Sequence, residues 1–303
     1  MLERLVSLLV CPRCRATLAD ASAEALLRCV GCGATYPVRG NAVFLTDGTE
    51  RDDPRMSAEW EAQSSARAQY TDPASILNSW ELQVLPRLVD WLGEVRGPIL
   101  DVGCGVGHLG TAMTVVDRKD VELIGTDFQA ELLAEVGAGY LGLIQADVHH
   151  LPIRDGAFAG VIASNSLHHF PDPARAMSEI ARVLRPGGVF VAYDPRFLAP
   201  LELLKKRLRR NDRAFTEDHK AFRIAEYRQL LGSSGLAVTD VCCTDPVGIL
   251  LATGLDYLKV GRLGLAHPLA KVLAKLDRNL AGPIGHTPLG LMLSGRAVKS
   301  PST

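Results

Sequence analysis

The chain has 303 residues, a formal net charge of −1, 47% hydrophobic residues and 22% charged residues. That balance supports a sizeable core, excludes global disorder, and gives no bulk positive charge to drive binding to nucleic acid or an acidic surface. No apolar run approaches the roughly 18 residues of a membrane span. Leu5 to Val10 is too short for a signal-peptide core and is followed by Pro12 and Arg13, so a cytoplasmic protein is expected.

Residues 1–46 read as a compact unit. Cys11-x2-Cys14 and Cys29-x2-Cys32 are separated by 14 residues. Each CxxC turn aims two thiolates at one point, and two such turns close a tetrahedral zinc site with no open position, hence a structural one. So short a segment would depend on the metal for its stability. Two identical spacings among seven cysteines argue for metal in a reducing compartment, not a disulfide scaffold. Gly31 and Gly33 suit a tight knuckle around Cys32. Residues 47–97 read as a linker and a helical cap, the helical part spanning 57–96 with Trp60, Tyr70, Trp80, Leu85, Leu88 and Trp91 as its apolar points.

From residue 98 the pattern alternates. Strands are expected at 99–102, 121–126, 141–146, 160–164 and 188–193, with helices near 107–117, 129–137 and 173–184 between them. Pro186-Gly187-Gly188 is expected as a turn between helix and strand. Near-continuous apolar strands alternating with helices mean an α/β fold with a parallel sheet covered on both faces. Residues 195–222 interrupt the rhythm with a basic run, Lys205 to Arg213, read first as a solvated helix face. A helix at 224–233 and a strand at 236–242 resume it. Residues 246–288 are apolar and helical in character, and Leu289 to Lys299 reads as a last strand.

The stretch Pro98 to Gly110 carries the most chemistry. A buried strand ends in Asp101, a loop follows with Gly103, Gly105 and Gly107, and a helix begins. A strand-loop-helix of this kind is a nucleotide-type site at the carboxyl end of a parallel strand. A pyrophosphate would gain nothing from the adjacent carboxylate, whereas a phosphate-free ligand with an ammonium group would; S-adenosylmethionine is such a ligand. A nicotinamide-binding loop would want glycine at position 108, which is His.

Taken in order, DVGCGVG (101–107), GTD (125–127), QADVHHLP (145–152), VIASNSLHHFPDP (161–173) and ARVLRPGG (181–188) resemble class I S-adenosylmethionine-dependent methyltransferases of the ubiquinone-biosynthesis-like group. The resemblance implies a Rossmann-like, seven-stranded sheet over 98–303 with insertions near 195–222 and 246–288. It implies that Gly103, Gly105 and Gly107 pass under the cofactor and that Asp101 faces its ammonium. Asp127 would then bind the ribose hydroxyls, for which a carboxylate is the natural acceptor. Phe128 would pack on adenine, and Asp147 with the Val148 amide would read its edge. Asn165 lies at the methyl-donor rim, and Tyr70 would cover the methionine end. His168 and His169, at the fourth-strand tip, are the candidates to touch substrate. The segment 11–46 separately resembles a Trm112-like zinc ribbon, including the YPV turn after Cys32.

Methyl transfer needs the acceptor, methyl carbon and sulfur in line and water excluded; an oxygen acceptor also needs a base, a carbon or nitrogen acceptor need not, and the sequence leaves all three open. Substrate choice would sit in the insertions, since the sheet is committed to the cofactor. The apolar 246–288 segment favours a small or lipid-like metabolite. The ribbon and the basic run keep RNA or a translation factor as an alternative, less favoured at neutral net charge. A non-catalytic cofactor-binding scaffold is a third alternative, against which the intact cofactor motifs weigh.

Overall fold

The computed structural model describes residues 2–21, 25–46, 54–117, 122–198, 221–281 and 287–301. The basic run Lys205 to Arg213 and most of the 195–222 insertion lie outside the described residues. The chain opens with α1 (Leu2–Leu8), the short strands β1 (Leu18–Ala21), β2 (Leu26–Cys29), β3 (Thr35–Arg39) and β4 (Ala42–Phe44), and then three helices, α2 (Pro54–Tyr70), α3 (Ile76–Val84) and α4 (Pro86–Leu92). Strand β5 (Ile99–Val102) starts the alternating part, followed by α5 (His108–Val115), β6 (Leu123–Asp127), α6 (Ala130–Leu133), β7 (Gly142–Gln145), β8 (Phe158–Ser164), α7 (Pro173–Val183) and β9 (Leu184–Pro195). Then come α8 (Ile224–Gly232), β10 (Ala237–Thr244), α9 (Gly248–Tyr257), α10 (Ala266–Ala281) and β11 (Met292–Val298).

All strands join one sheet in the order β1-β2-β3-β4-β7-β6-β5-β8-β9-β11-β10. The run from β4 through β9 is parallel, and β11 is antiparallel to both β9 and β10. Strand β5 pairs with β6 on one side and β8 on the other, so connections leave it in opposite directions. The crevice at the carboxyl ends there is where such sheets bind ligands. All four residues of β5 are buried, as expected of a strand covered on both faces.

Pro186-Gly187-Gly188 is not a turn ahead of a strand but an irregularity inside β9. The register against β8 moves from Phe158↔Leu184 to Gly160↔Val189, and Gly187 takes φ 75°. The extra residues are absorbed as a bulge because pairing resumes on both sides of them. The YPV motif likewise lies within β3, where Tyr36 pairs with Leu27 and Pro37 with Leu26.

The first 46 residues are built into the sheet. Strand β4 pairs in parallel with β7, placing Val43 opposite Ile144 and Phe44 opposite Gln145. The Leu45 amide donates to the Gln145 carbonyl at 2.9 Å and the Val10 amide to that of Pro152 at 2.9 Å. Leu9, Leu27 and Val43 join the same core cluster as Leu100 and Ile144. On the other flank, α3, α9 and α10 enclose a small core around Ile76, Trp80, Ala252, Ala270 and Leu273. These helices cap one another with acids. Asp256 accepts from the amides of Ile76 (2.7 Å) and Leu77 (3.1 Å). Asp277 accepts from Val247 and Gly248 (3.0 Å each) and from Trp80 Nε1 (3.1 Å). Each satisfies amides that a helix start leaves without an intrahelical partner.

Candidate functional site

The four ribbon cysteines converge, their Sγ atoms all lying within 4.8 Å of one another. Cys11 and Cys32 Sγ are 3.7 Å apart, and Cys14 and Cys29 are 3.4 Å apart. Tetrahedral Zn–S bonds of about 2.3 Å require sulfur–sulfur separations of about 3.8 Å, so the spacing fits a zinc ion and not a pair of disulfides. The Cys32 and Gly31 amides donate to Cys29 Sγ at 3.4 and 3.3 Å. Led by the Cys32 amide and against burial, these bonds pull the Cys29 thiol down to about 6, toward the thiolate that binds metal. A Cβ at Gly31 would sit 2.8 Å from Ala16 Cβ. Tyr36 Oη is 3.2 Å from Cys11 Sγ, so the tyrosine of the YPV motif supports a ligand.

A cavity of about 910 Å³ lies at the carboxyl ends of the strands. It gathers Tyr70, Asp101, Gly103, Gly105, Asp127 and Phe128. Its wall continues through Asp147, Val148, Asn165, His168 and His169. Gly107 is not in the wall. It starts α5 in the left-handed conformation (φ 83°), and a Cβ there would lie 2.8 Å from Val136 Cγ1, so its role is packing at the helix start. Gly103 (φ 68°) allows no side chain either, since a Cβ would meet that of Ser166 at 2.6 Å. Gly105 (φ 54°) has nothing within 4 Å of its Cβ position, and its backbone is open to a ligand.

Asp101, Asp127 and Asp147 stand at or just beyond the tips of β5, β6 and β7. Asp127 Oδ2 accepts from the Gly105 amide and Oδ1 from Gln129, both at 2.9 Å. Each oxygen retains acceptor capacity, which suits a pair of hydroxyls. Burial raises the Asp127 pKa and the backbone amides oppose this. Asp101 is 2% exposed and accepts from Tyr140 Oη at 2.5 Å. Burial, opposed by Tyr140 and reinforced by Asp127, pushes its carboxyl up to about 7. A buried acid in that condition gains most from a cation. Asp147 faces a different demand, because Oδ1 already accepts from His149 Nδ1 at 2.6 Å and from the His149 amide at 2.9 Å. Burial raises its pKa, but the His149 contacts prevail and hold it low. His149 Nε2 accepts from the Asp172 amide at 3.3 Å, so His149 bridges two loops. Phe128 meets Trp60 edge-on with centroids 5.0 Å apart, forming an aromatic corner.

Sequence reasoning missed Glu81, which reaches into the cavity from α3. Its Oε2 is 2.9 Å from His108 Nδ1, and its Oε1 accepts from Asn165 Nδ2 at 3.1 Å. His108 Nε2 lies 3.0 Å from the Tyr70 carbonyl. Both ring nitrogens thus face acceptors, and both can be satisfied only by the imidazolium. Burial lowers the His108 pKa, but Glu81 more than offsets this. The cluster fastens the cap to the glycine loop and to Asn165, which holds φ 52°.

His168 is 5% exposed, and its Nδ1 is 2.8 Å from Asp194 Oδ1. Asp194 is fully buried and its other oxygen accepts from Tyr227 Oη at 2.9 Å. His169 stacks against His168 with centroids 4.1 Å apart. Asp194 and Tyr227, in separate later elements, left no local signal. A further ion pair lies outside the cavity wall, with Asp245 fully buried. Arg87 Nη1 donates to Asp245 Oδ1 at 2.8 Å, Nη2 donates to Oδ2, and Tyr193 Oη donates to Oδ2 at 2.9 Å.

Residues 100–192 match a family described as a methyltransferase domain. An uncharacterized chloroplastic methyltransferase of Arabidopsis thaliana is 30% identical over 153 residues, 46% of this chain and 43% of that protein. The O-methyltransferase rstn1 of Aspergillus nomiae is 39% identical over 112 residues, 34% of this chain and 49% of that one. The chain spans about half the length of these curated relatives. A crystal structure of a SAM-dependent methyltransferase from Thermotoga maritima aligns with a TM-score of 0.56 at 14% identity, over 80% of this chain and 99% of that one. This last likeness concerns the fold. Residues 100–192 are thus a methyltransferase domain, on a fold shared with a solved S-adenosylmethionine-dependent methyltransferase.

Proposed function

We propose that the protein is an S-adenosylmethionine-dependent methyltransferase acting on a small or lipid-like metabolite. The observation that carries the reading is one cavity holding the glycine loop together with Asp101, Asp127 and Asp147 from consecutive strand ends. The residues fit this cofactor. Gly105 offers open backbone, Asp127 retains acceptor capacity for two ribose hydroxyls, and Asp101 is a buried acid in want of a cation. Phe128 and Trp60 offer aromatic surface for adenine, with Asp147 and Val148 beside them in the wall.

When bound, the cofactor supplies an electrophilic methyl group. The chain's part is to orient the acceptor and keep water out. The Glu81–His108–Asn165 cluster holds the cap over the glycine loop and Tyr70 lies in the covering wall. For a hydroxyl acceptor, His168 takes the proton at Nε2 while Asp194 holds Nδ1 and steadies the imidazolium. His169, stacked on His168, shapes the acceptor side. The O-methyltransferase activity named for the Aspergillus relative supports an oxygen acceptor. The structural metal would be zinc on Cys11, Cys14, Cys29 and Cys32.

Isothermal calorimetry tests the reading. The chain should bind S-adenosylmethionine and not NAD. Asp127→Ala should weaken the cofactor by roughly a hundredfold, the loss of two charge-assisted hydrogen bonds. Unchanged affinity in Asp127→Ala would refute the assignment. A labelled-methyl screen over small metabolites, lipids and RNA then separates the acceptor classes.

A further inference from the structure

Helix α10 is apolar well beyond the arc that the fold buries. Ala266, Ala270, Leu273, Ala274 and Asp277 are its buried residues, and at 3.6 residues per turn they occupy roughly 100° of the circumference. Val272, Leu276 and Leu280 fill the adjoining ~80°, yet they are exposed at 62%, 37% and 55%. Lys271, Lys275 and Arg278 line the side beyond the buried arc. A helix that only packed on α3 would carry polar residues at 272, 276 and 280. The preceding elements repeat the pattern, with Tyr257 87% and Leu263 75% exposed, and Leu250 and Leu258 also exposed.

Two further observations say what this face suits. The segment 248–281 contains only two acids, and both are engaged as helix caps, Asp256 on α3 and Asp277 on α9. The bases Lys259, Lys271, Lys275 and Arg278 are all exposed, so the charge presented outward is positive. The apolar exposure also reaches the site, because Leu250 and Tyr257 line the 910 Å³ cavity while remaining open to solvent. Leucine-rich apolar surface flanked by Lys and Arg is what an interfacial helix presents to an anionic bilayer, whereas the core of a protein interface is depleted in lysine.

We propose that the α9–α10 face is a peripheral docking surface for an anionic lipid bilayer, with the mouth of the cavity at Leu250 and Tyr257 set against the lipid. Among the described residues no helix is long and apolar enough to cross a membrane, so attachment is by surface contact. The docking stands on the exposed face alone. Its use, delivering an apolar acceptor from the bilayer into the cavity, rests on the methyl-transfer reading above.

The test is sedimentation of the full chain with vesicles of phosphatidylcholine alone and of phosphatidylcholine and phosphatidylglycerol in equal parts. Binding is expected to the mixed vesicles, with about a tenfold loss or more for Val272→Ser/Leu276→Ser/Leu280→Ser, and a comparable loss for Lys271→Glu/Lys275→Glu. The substituted side chains are exposed, and cofactor affinity measured by calorimetry should match the parent. In Tyr257→Trp, fluorescence should shift to the blue on mixed vesicles and be quenched by brominated phosphatidylcholine. The proposal is overturned if the parent ignores mixed vesicles or the serine variant binds them equally. It is also overturned if position 257 stays unquenched, or if the serine substitutions abolish a concentration-dependent dimer instead. Vesicle binding without cofactor binding would sink the methyl-transfer reading and leave docking intact.

Discussion

Asp101→Asn should make the protein more stable and worse at its task. In the folded chain the Asp101 carboxyl is pushed to about 7 from its ordinary 3.8. Between those values the native state keeps a proton that the unfolded chain has released, so stability falls as pH rises through that window. A shift of about 3 units corresponds to about 4 kcal/mol by pH 8. Asparagine removes that term and still offers Tyr140 Oη an acceptor; burying its own amide takes back about 1–2 kcal/mol. A net gain of about 2 kcal/mol raises the melting temperature by roughly 3 °C in a chain of this size. Scanning calorimetry of cofactor-free protein at pH 8 reads this directly. Cofactor binding should move the other way. An ammonium partner needs Asp101 ionised, so below pH 7 the parent must release a proton to bind. Its affinity should then fall about tenfold per unit over roughly pH 7 to 5. The variant should bind more weakly at pH 7 and lack that slope. His108 titrates in both proteins, so the difference between them isolates Asp101. A parent-like slope in Asp101→Asn, or a melting temperature at pH 8 no higher than the parent's, would refute the reasoning.

Four more variants have expected outcomes. Cys29→Ser/Cys32→Ser should take metal content from one zinc per chain to none and lower the melting temperature by about 10 °C or more; plasma emission spectrometry and scanning calorimetry report the two effects. Asp245→Ala leaves the Arg87 guanidinium without its bidentate partner in a site where Asp245 itself is fully buried. It should cost about 3–5 kcal/mol in urea unfolding, and a loss under 1 kcal/mol would contradict the buried-pair account. If the acceptor is a hydroxyl, His168→Gln should lower kcat by about a hundredfold or more with cofactor affinity unchanged, and Asp194→Asn should alter the pH–rate profile rather than the cofactor affinity.

What was legible in the sequence is what the backbone itself demands. Gly103 and Gly105 sit where the chain must hold positive φ beside the cavity. Asp101, Asp127 and Asp147 close strands whose apolar runs announce them. The four cysteines declare themselves by spacing. Illegible were the partners that tertiary structure brings from elsewhere. Tyr140 reaches Asp101 from a loop 39 residues later, and Glu81 reaches His108 from a cap helix with no distinguishing local pattern. Asp256 and Asp277 cap helices to which they do not belong, so capping rules applied along the sequence pass over them. Gly107 shows the converse, because glycine spacing cannot separate a residue under a ligand from one crowded by Val136.

The parallel pairing of β4 with β7 bears on how the chain tolerates truncation. A fragment lacking residues 1–46 would bare the β7 backbone along Leu143 to Gln145 and uncover Gly142, over which Leu5 now lies. An open, apolar sheet margin templates chain-to-chain addition, so such a fragment should aggregate, and restoring the ribbon in trans, loaded with zinc, should return it to solution.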